Sequence, residues 1–212
     1  MKTNQSTKPA LMLGLALSIS LGVSGCSHVH YGNESPDESS VSQGALQRGQ
    51  PFDTSIDSGM APFGDVMTKA VSNYNRPSPY IGTGGRVSAG AMPELKQMGF
   101  RTVVSLLTPE EGLSDERDAA DDAGLGFHGI SVSGGPPTAD QVDEFARIVS
   151  EQSNYPILLH CASGNRAGAM WALYRHQVGV PAELALEEGR AVGLKDSLEP
   201  GVRERLGLGA SD

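Results

Sequence analysis

The chain has 212 residues, and its 25 aspartates and glutamates outnumber its 16 lysines and arginines, which gives a net charge of −9 at pH 7. This acidic balance provides no basic surface for nucleic acid or for anionic lipid headgroups, so we predict neither a nucleic-acid partner nor electrostatic attachment to a membrane. Cysteines occur only at Cys26 and Cys161, so the chain can form at most one disulfide within itself.

The amino-terminal segment has the layout of a secretory signal. Lys2 and Lys8 precede an apolar run at residues 11–17, and Ser24-Gly25-Cys26 follows. The apolar run is too short and too interrupted by Gly and Ser to span a bilayer comfortably. We therefore predict a cleaved signal peptide over residues 1–25.

The sequence Val23-Ser24-Gly25-Cys26 resembles the bacterial lipobox, in which the cysteine is diacylated, the signal is removed and the new amino terminus is acylated again. The resemblance implies lipidation at Cys26 and a lipoprotein in the cell envelope of a Gram-negative bacterium, facing the periplasm. Several acyl chains together give a stable membrane anchor, and Ser27 is compatible with sorting to the outer membrane. The alternative is an ordinary cleaved signal in which Cys26 is incidental.

Residues 26–73 are rich in Ser, Gly, Asp, Pro and Asn and show no sustained hydrophobic period, so we predict a lipidated cysteine followed by a flexible tether. A weak helical pattern at residues 66–71 indicates a short segment that docks on the following domain. His28 and His30 are possible metal ligands, but no further cluster completes a ligand shell at a recognisable spacing. We expect a linker there rather than a metal site.

Strand-like and helix-like patterns alternate from residue 74 to residue 208. Strands are predicted at residues 79–81, 101–107, 126–132 and 156–160, and helices at residues 91–98, 114–122, 166–177 and 181–192 and from Thr138 onward. The helix from Thr138 has an apolar face at Val142, Phe145, Ile148 and Val149. This alternation predicts one α/β domain with a central, mostly parallel sheet flanked by helices.

The segment with the most candidate functional residues follows the predicted strand that ends at His160. It reads Cys161-Ala162-Ser163-Gly164-Asn165-Arg166 and leads into an amphipathic helix. Ligands of open α/β sheets bind at the carboxyl ends of strands, and small residues let successive N–H groups turn inward as an anion nest. The helix dipole and the guanidinium fork of Arg166 add positive charge. The predicted phosphate-binding residues are Ala162, Ser163, Gly164, Asn165 and Arg166.

The same positive field favours a thiolate, which is the reactive form of cysteine. Exported proteins tend to lose free thiols because oxidation threatens them, and Cys161 is the sole thiol left if Cys26 carries lipid. We predict that Cys161 is a nucleophile, against the alternative of a buried and inert cysteine. His160 projects from the opposite face of the strand, so we expect it to brace the loop rather than act as the base.

The sequence from His160 to Arg166 is similar to the His-Cys-x-x-Gly-x-x-Arg motif of tyrosine and dual-specificity cysteine phosphatases, with one residue fewer between Cys and Arg. The spelling Cys-x-Ser-Gly-x-Arg resembles the bacterial phosphatase-like family called domain of unknown function 442, or the beta-lactamase-hydrolase-like phosphatase domain. Further matching stretches are Asn73-Tyr74-Asn75-Arg76, Tyr80-Ile81-Gly82-Thr83-Gly84-Gly85, Gly99-Phe100-Arg101-Thr102-Val103-Val104-Ser105-Leu106 and Ile130-Ser131-Val132-Ser133-Gly134-Gly135. The resemblance spans residues 73–193 and implies a cysteine-phosphatase-like fold.

The resemblance also implies a mechanism. Cys161 attacks phosphorus, the loop amides and Arg166 hold the oxygens, and an aspartate protonates the departing oxygen. In the corresponding loop, residues 133–140, the only carboxylate is Asp140, so Asp140 is the predicted acid, with Asp143 behind it. The alternative is that these acids only favour the helix dipole. The implied substrate is a phosphorylated small molecule or protein, with no metal and no other cofactor.

Two departures from the family leave other functions open. Gly84-Gly85-Arg86 stands where the family often has Gly-Gln-Pro, and Ala167 stands where a serine that stabilises the leaving thiolate usually follows the arginine. Ser163 is the candidate to compensate; without compensation, turnover is slow or absent. The alternatives are a rhodanese-like sulfurtransferase that carries a Cys161 persulfide and a non-catalytic oxyanion-binding module. The His-Cys pair argues against a true rhodanese.

Overall fold

A five-stranded sheet lies at the centre of the computed structural model, which describes residues 59–67 and 69–209. The strands are β1 (Asn75–Ser78), β2 (Ile81–Gly84), β3 (Thr102–Ser105), β4 (Gly126–Gly129) and β5 (Ile157–His160). Their order in the sheet is β1-β2-β5-β3-β4, and all neighbours pair in parallel except β1 with β2. The predicted α/β fold with a mostly parallel sheet is confirmed.

Helices cover both faces of this sheet. They are α1 (Gly64–Met67), α2 (Met92–Gln97), α3 (Leu113–Asp122), α4 (Ala139–Ser150), α5 (Asn165–Gln177), α6 (Ala182–Ala191) and α7 (Glu199–Arg205). In the part of the chain that the structure describes, no helix is long and apolar enough to cross a membrane.

The central strand β5 separates two apolar clusters. Ile157 and Leu159 belong to one cluster together with Cys161, whereas Leu158 belongs to the other. This division follows from the pleat, because successive side chains of a strand point to opposite faces. His160 therefore shares the face of Leu158, opposite to Cys161, as predicted.

The segment just before the sheet belongs to the folded domain. Met67 and Val71 are buried, the Arg76 guanidinium lies 3.7 Å from the centre of the Phe63 ring, and the Tyr74 hydroxyl donates a hydrogen bond to the Pro62 carbonyl at 2.8 Å. The predicted tether is thus too long at its carboxyl end, because the domain includes the chain from residue 59 onward. The predicted signal, the lipidation site at Cys26 and the histidines of the tether lie outside the described residues.

Two regular elements differ from the sequence prediction. The strand predicted at residues 79–81 is instead a hairpin, in which β1 and β2 flank a tight turn. Pro77 within β1 and Pro79 in the turn hid β1, and a proline is tolerated in β1 because it is an edge strand. Helix α7 was not predicted because Pro200 and Gly201 stand in its first turn, where a proline is compatible with a helix.

Candidate active site

The Cys161 loop, residues 161–166, joins the end of β5 to the start of α5. The Cys161 amide donates to the Gly84 carbonyl at 3.2 Å, which ties the loop to the neighbouring strand β2. The chain then turns so that the Gly164 amide donates to Cys161 Sγ at 3.2 Å. Gly164 has a φ of 91°, a conformation that favours glycine, and directly precedes α5. A glycine at this position thus lets the loop wrap around its own sulfur.

Several loop amides remain available for an anion. The amides of Ala162, Asn165 and Arg166 donate no hydrogen bond to any described residue. Those of Asn165 and Arg166 also belong to the first turn of α5, a helix of 13 residues, where amides lack intrahelical partners and the helix dipole is positive. Unpaired amides in this arrangement are compatible with an anion nest, and oxyanion binding by the loop stays a prediction.

The Arg166 side chain is held by a dense set of acceptors. Nη1 donates to the carbonyls of Leu106 and Val132 at 2.9 and 2.8 Å and to Glu111 Oε2 at 2.8 Å, and Nη2 donates to Glu111 Oε1 at 2.7 Å. Burial disfavours the charged guanidinium, but the hydrogen bonds that it donates to Glu111 and the nearby Cys161 outweigh burial and raise the pKa of Arg166. Arg166 is therefore a permanent cation close to Cys161.

These contacts leave one edge of the guanidinium without a carbonyl or carboxylate partner, and the Cys161 side chain is close enough to interact with the guanidinium. Arginine has five N–H bonds, and the contacts above engage Nη1 and one N–H of Nη2. Among the described residues, no backbone carbonyl and no carboxylate accepts a hydrogen bond from Nε or from the second N–H of Nη2. Two N–H bonds on one edge of a guanidinium can donate to two oxygens of a phosphate, so Arg166 has the geometry for its predicted role.

Glu111 is a site residue that sequence reasoning missed. It lies in a short 3₁₀ turn at Pro109–Glu111, after β3, and its Oε2 also accepts the Thr108 amide at 2.9 Å. Hydrogen bonds from Arg166 hold the pKa of Glu111 below its usual range, so its carboxylate is ionised. A carboxylate just past the carboxyl end of a parallel strand was the available signal.

His160 directly precedes Cys161, and Glu116 from α3 contacts the His160 ring. His160 Nε2 is 3.1 Å from Glu116 Oε2, and the same oxygen accepts a hydrogen bond from Ser105 Oγ at 2.5 Å. The His160 ring is fully buried, and neither ring nitrogen makes a well-aligned hydrogen bond with a described residue. The contact with Glu116 is therefore mainly electrostatic, and the predicted bracing role stays a prediction.

A cavity of about 490 Å³ opens over the Cys161 loop. Its lining residues are Thr108, Glu111, Val132, Ser133, Gly134, Gly135, Ser163, Asn165, Arg166, Ser197 and Leu198. Cys161 is fully buried and does not line this cavity. The structure thus brings together the predicted residues Ser163, Asn165 and Arg166 at an open pocket.

Two asparagines fasten the Cys161 loop to its surroundings. Asn165 Oδ1 accepts the Lys195 amide at 2.7 Å, and its Nδ2 donates to Ser197 Oγ at 2.9 Å. Asn73 Nδ2 donates to the Ser163 carbonyl at 3.2 Å from the other side. The Asn165 side chain therefore holds the loop in place, and only the backbone N–H of Asn165 is available for the predicted phosphate-binding role.

Close packing behind the loop excludes a side chain at Gly168. A Cβ added there would lie 2.2 Å from the Leu194 amide nitrogen and 2.7 Å from the Gly189 carbonyl oxygen. Ala167, beside it, is fully buried. The position after Arg166, where the phosphatase family that the sequence resembles usually has a hydroxyl, thus holds a methyl group in a closed environment, and Ser163 is the nearest hydroxyl in sequence.

The structure does not bring the predicted acids to the cavity. Asp140 is exposed in the first turn of α4 and does not line the pocket, and Asp143 Oδ1 accepts a hydrogen bond from Gln177 on α5. A capping box between Thr138 and Gln141 fixes this turn, and Gln141 also donates to the Ser131 carbonyl at 2.7 Å. The role of Asp140 as the general acid stays a prediction. Its position in the first turn favours the alternative, in which its charge interacts with the helix dipole.

Replacing Asp140 by Asn is therefore expected to lower thermal stability slightly and to change turnover equally for good and poor leaving groups. Removing one acidic charge weakens its interaction with the α4 dipole and leaves the cavity intact. The measurement is turnover of an aryl and an alkyl phosphate, with a thermal melt. A loss of roughly 10²–10⁴-fold confined to the alkyl phosphate would instead establish Asp140 as the proton donor.

Within residues 59–67 and 69–209, no group of three or more His, Cys, Asp or Glu side chains is arranged to hold a metal ion.

Comparisons with known proteins agree with this geometry. The chain is 32% identical over 118 residues to the protein named "Probable NAD kinase 2, chloroplastic" of Oryza sativa subsp. japonica, covering 49% of this chain and 11% of that one. It is 29% identical over 147 residues to the dual specificity protein phosphatase TpbA of Pseudomonas aeruginosa strain UCBPP-PA14, covering 64% and 63%. The chain thus spans about a tenth of the plant relative and less than two thirds of TpbA.

A solved structure and a family model complete the comparison. The DUF442 protein of Shewanella putrefaciens CN-32 superposes with a TM-score of 0.53 at 20% identity, covering 66% of this chain and 89% of that one, which shows the shared fold. The family model PTP-NADK, described as "DSP-PTPase phosphatase fused to NAD+ Kinase", matches residues 60–197. Because this match covers more than half of the chain, the chain belongs to the PTP-NADK family of DSP-type phosphatases.

Proposed function

We propose that the protein is a phosphoric monoester hydrolase that works through a phosphocysteine on Cys161. The Cys161 thiolate attacks phosphorus, the phosphorus–oxygen ester bond breaks, and the departing oxygen takes up a proton. Water then attacks the phosphocysteine, the phosphorus–sulfur bond breaks, and inorganic phosphate leaves with the thiolate restored. No metal or other cofactor takes part in either step.

One observation carries this proposal: the sulfur, the free amides and the guanidinium fork converge on one loop. The Gly164 amide points at Cys161 Sγ from 3.2 Å, which stabilises negative charge on sulfur. The free amides and the open edge of Arg166 match the equatorial oxygens of a phosphoryl group. Membership of a DSP-type phosphatase family supports the same reaction class.

The substrate is a phosphorylated small molecule or protein. The relative TpbA is named a dual specificity protein phosphatase, so phosphotyrosine and phosphoserine peptides are the first candidate substrates to test. Without a hydroxyl at Ala167, we expect hydrolysis of the phosphocysteine to be the slow step.

The testing experiment is phosphate release by the full-length protein in detergent from an aryl phosphate, phosphopeptides, nucleotides and inositol phosphates, with thiosulfate as the sulfurtransferase substrate. We expect phosphate release from the aryl phosphate with an initial burst. Sulfur transfer from thiosulfate in place of phosphate release would favour the rhodanese-like function. Tight oxyanion binding without either reaction would favour the binding module.

We also propose that the protein is a lipoprotein anchored through Cys26 in the envelope of a Gram-negative bacterium and facing the periplasm. The lipobox-like sequence supports this proposal, and the net charge of −9 offers no electrostatic substitute for acyl chains. Cys26→Ala is expected to move the protein from the membrane fraction to the soluble fraction without changing its specific activity. Unchanged membrane partitioning of Cys26→Ala would exclude the anchor.

A further inference from the structure

A second arginine stands at the edge of the site and has no part in the proposed mechanism. Arg86 follows β2, and its neighbour Gly85 pairs with Ser163 of the Cys161 loop in an isolated antiparallel bridge. From there the exposed Arg86 side chain reaches the turn after β3, where Nη1 donates a hydrogen bond to the Glu111 carbonyl at 3.4 Å. Because β5 lies between β2 and β3, this side chain crosses the end of β5 at which the Cys161 loop begins.

Arg86 borders the cavity over the Cys161 loop without lining it. Ser163 and Glu111 both line the cavity, and Arg86 joins the chain beside the first to the backbone of the second. Arg166 lies deeper, because its side chain is only 16% exposed and lines the cavity itself. A phosphoryl group on the loop amides would therefore contact Arg166 and leave Arg86 for another part of the substrate.

The Arg86 guanidinium is largely unused by the protein. Its hydrogen bond to the Glu111 carbonyl engages one of five N–H bonds, and no carboxylate of the described residues forms an ion pair with it. Arg175 and Arg190, by contrast, each pair with a glutamate. Hydrogen bonds from Arg166 are the main cause of the lowered pKa of Glu111, and the positive charge of Arg86 adds to that effect. Arg86 is thus a rim cation whose field reaches the site.

The resemblance to the phosphatase family does not supply this cation, because Arg86 stands where that family often has proline. The net charge of −9 repels polyanions at long range, so the binding of one requires a local cation. We propose that Arg86 is a specificity-determining residue that binds a second phosphate group of a small-molecule substrate, beside the phosphate on the Cys161 loop. One guanidinium on one side of the cavity suits one further phosphate, which it can bind through two N–H bonds.

This proposal deepens the proposed function by naming a class of substrate, and it rests on that function in taking the Cys161 loop as the site of the first phosphate. The test is titration calorimetry of the full-length Cys161→Ser protein in detergent. The probes are two pairs, inorganic phosphate with pyrophosphate and fructose 6-phosphate with fructose 1,6-bisphosphate, which sample two spacings between phosphate groups.

In at least one pair, the compound with two phosphates is expected to bind about tenfold more tightly than its partner, the scale of a charged hydrogen-bonded contact. Arg86→Gln in the same protein is expected to remove this preference and to leave the affinity for the compound with one phosphate unchanged. A preference that persists in Arg86→Gln would overturn the proposal, as would the absence of any preference in the protein that keeps Arg86.

Arg101→Gln is the matched control, because Arg101 is also exposed but precedes β3, at the opposite end of the parallel strands. We expect Arg101→Gln to keep the preference, and an equal loss there would mean that only the overall charge matters. If Arg86→Gln does not fold, Arg86→Met replaces it with the same expected result. Phosphotyrosine peptides with and without neighbouring glutamates form a further pair. An Arg86-dependent preference confined to the acidic peptide would overturn the assignment to a small molecule.

These affinities do not depend on turnover. A preference that depends on Arg86, in a chain whose unmutated form releases no phosphate from any substrate, would disprove the proposed function and keep the second phosphate site. An active phosphatase without the preference would do the reverse.

Discussion

Replacing Cys161 by serine is expected to lower the rate of phosphate release by about 10⁴-fold or more, while leaving the binding of inorganic phosphate nearly intact. A serine hydroxyl is almost fully protonated at neutral pH and is a poor nucleophile without an adjacent base. The free loop amides and the Arg166 fork do not depend on the sulfur, so they still hold an oxyanion. The measurements are phosphate release and the increase in melting temperature that inorganic phosphate produces.

The chain provides a matched control in its other cysteine. Cys26→Ser removes a sulfur far from the loop in sequence and is expected to keep full activity in detergent. Activity of Cys161→Ser within a factor of about ten of wild type would remove Cys161 from the mechanism. Loss of both turnover and phosphate binding would show that serine disrupts the loop, because the loop alone is expected to bind the oxyanion.

The predictable part of the site is local in sequence. The strand, the small residues, Gly164 and the helix follow one another within residues 157–177, and the structure confirms the strand, the turn and the helix. The face of His160 followed from the period of two along a strand. Short-range patterns of this kind determine how the backbone turns, and therefore where loop amides point.

The parts that sequence reasoning missed depend on contacts between distant residues. Glu111 lies 55 positions before Arg166, and Glu116 reaches His160 from a helix on another part of the chain. No local pattern indicates which carboxylate of an acidic chain meets which cation. Asp140 was predicted as the acid from its place ahead of a helix; that role stays a prediction, and the structure places Asp140 in a turn with a capping box and not among the residues that line the cavity.

Arg166 pairs with Glu111 and with two carbonyls, and we expect its replacement by lysine to have the second large effect on turnover. Lysine carries a single compact ammonium group and cannot bridge both oxygens of Glu111 and also present a fork to phosphate. The carbonyls of Leu106 and Val132, which are buried residues, would lose a donor at the same time. Arg166→Lys therefore keeps the charge but removes the geometry that holds the equatorial oxygens.

Arg166→Lys is expected to lower turnover by about 10²–10³-fold, the scale of losing one preorganised donor to a transition state. The matched control is Arg175→Lys, because Arg175 forms a similar bidentate pair with Glu188, at 2.7 and 3.1 Å, but does not line the cavity. We expect Arg175→Lys to lower the melting temperature and keep turnover. The measurements are phosphate release and thermal melts of both variants. An equal loss of turnover in both would mean that Arg166 only stabilises the fold. A selective loss in Arg166→Lys would place the guanidinium on the transferred phosphoryl group.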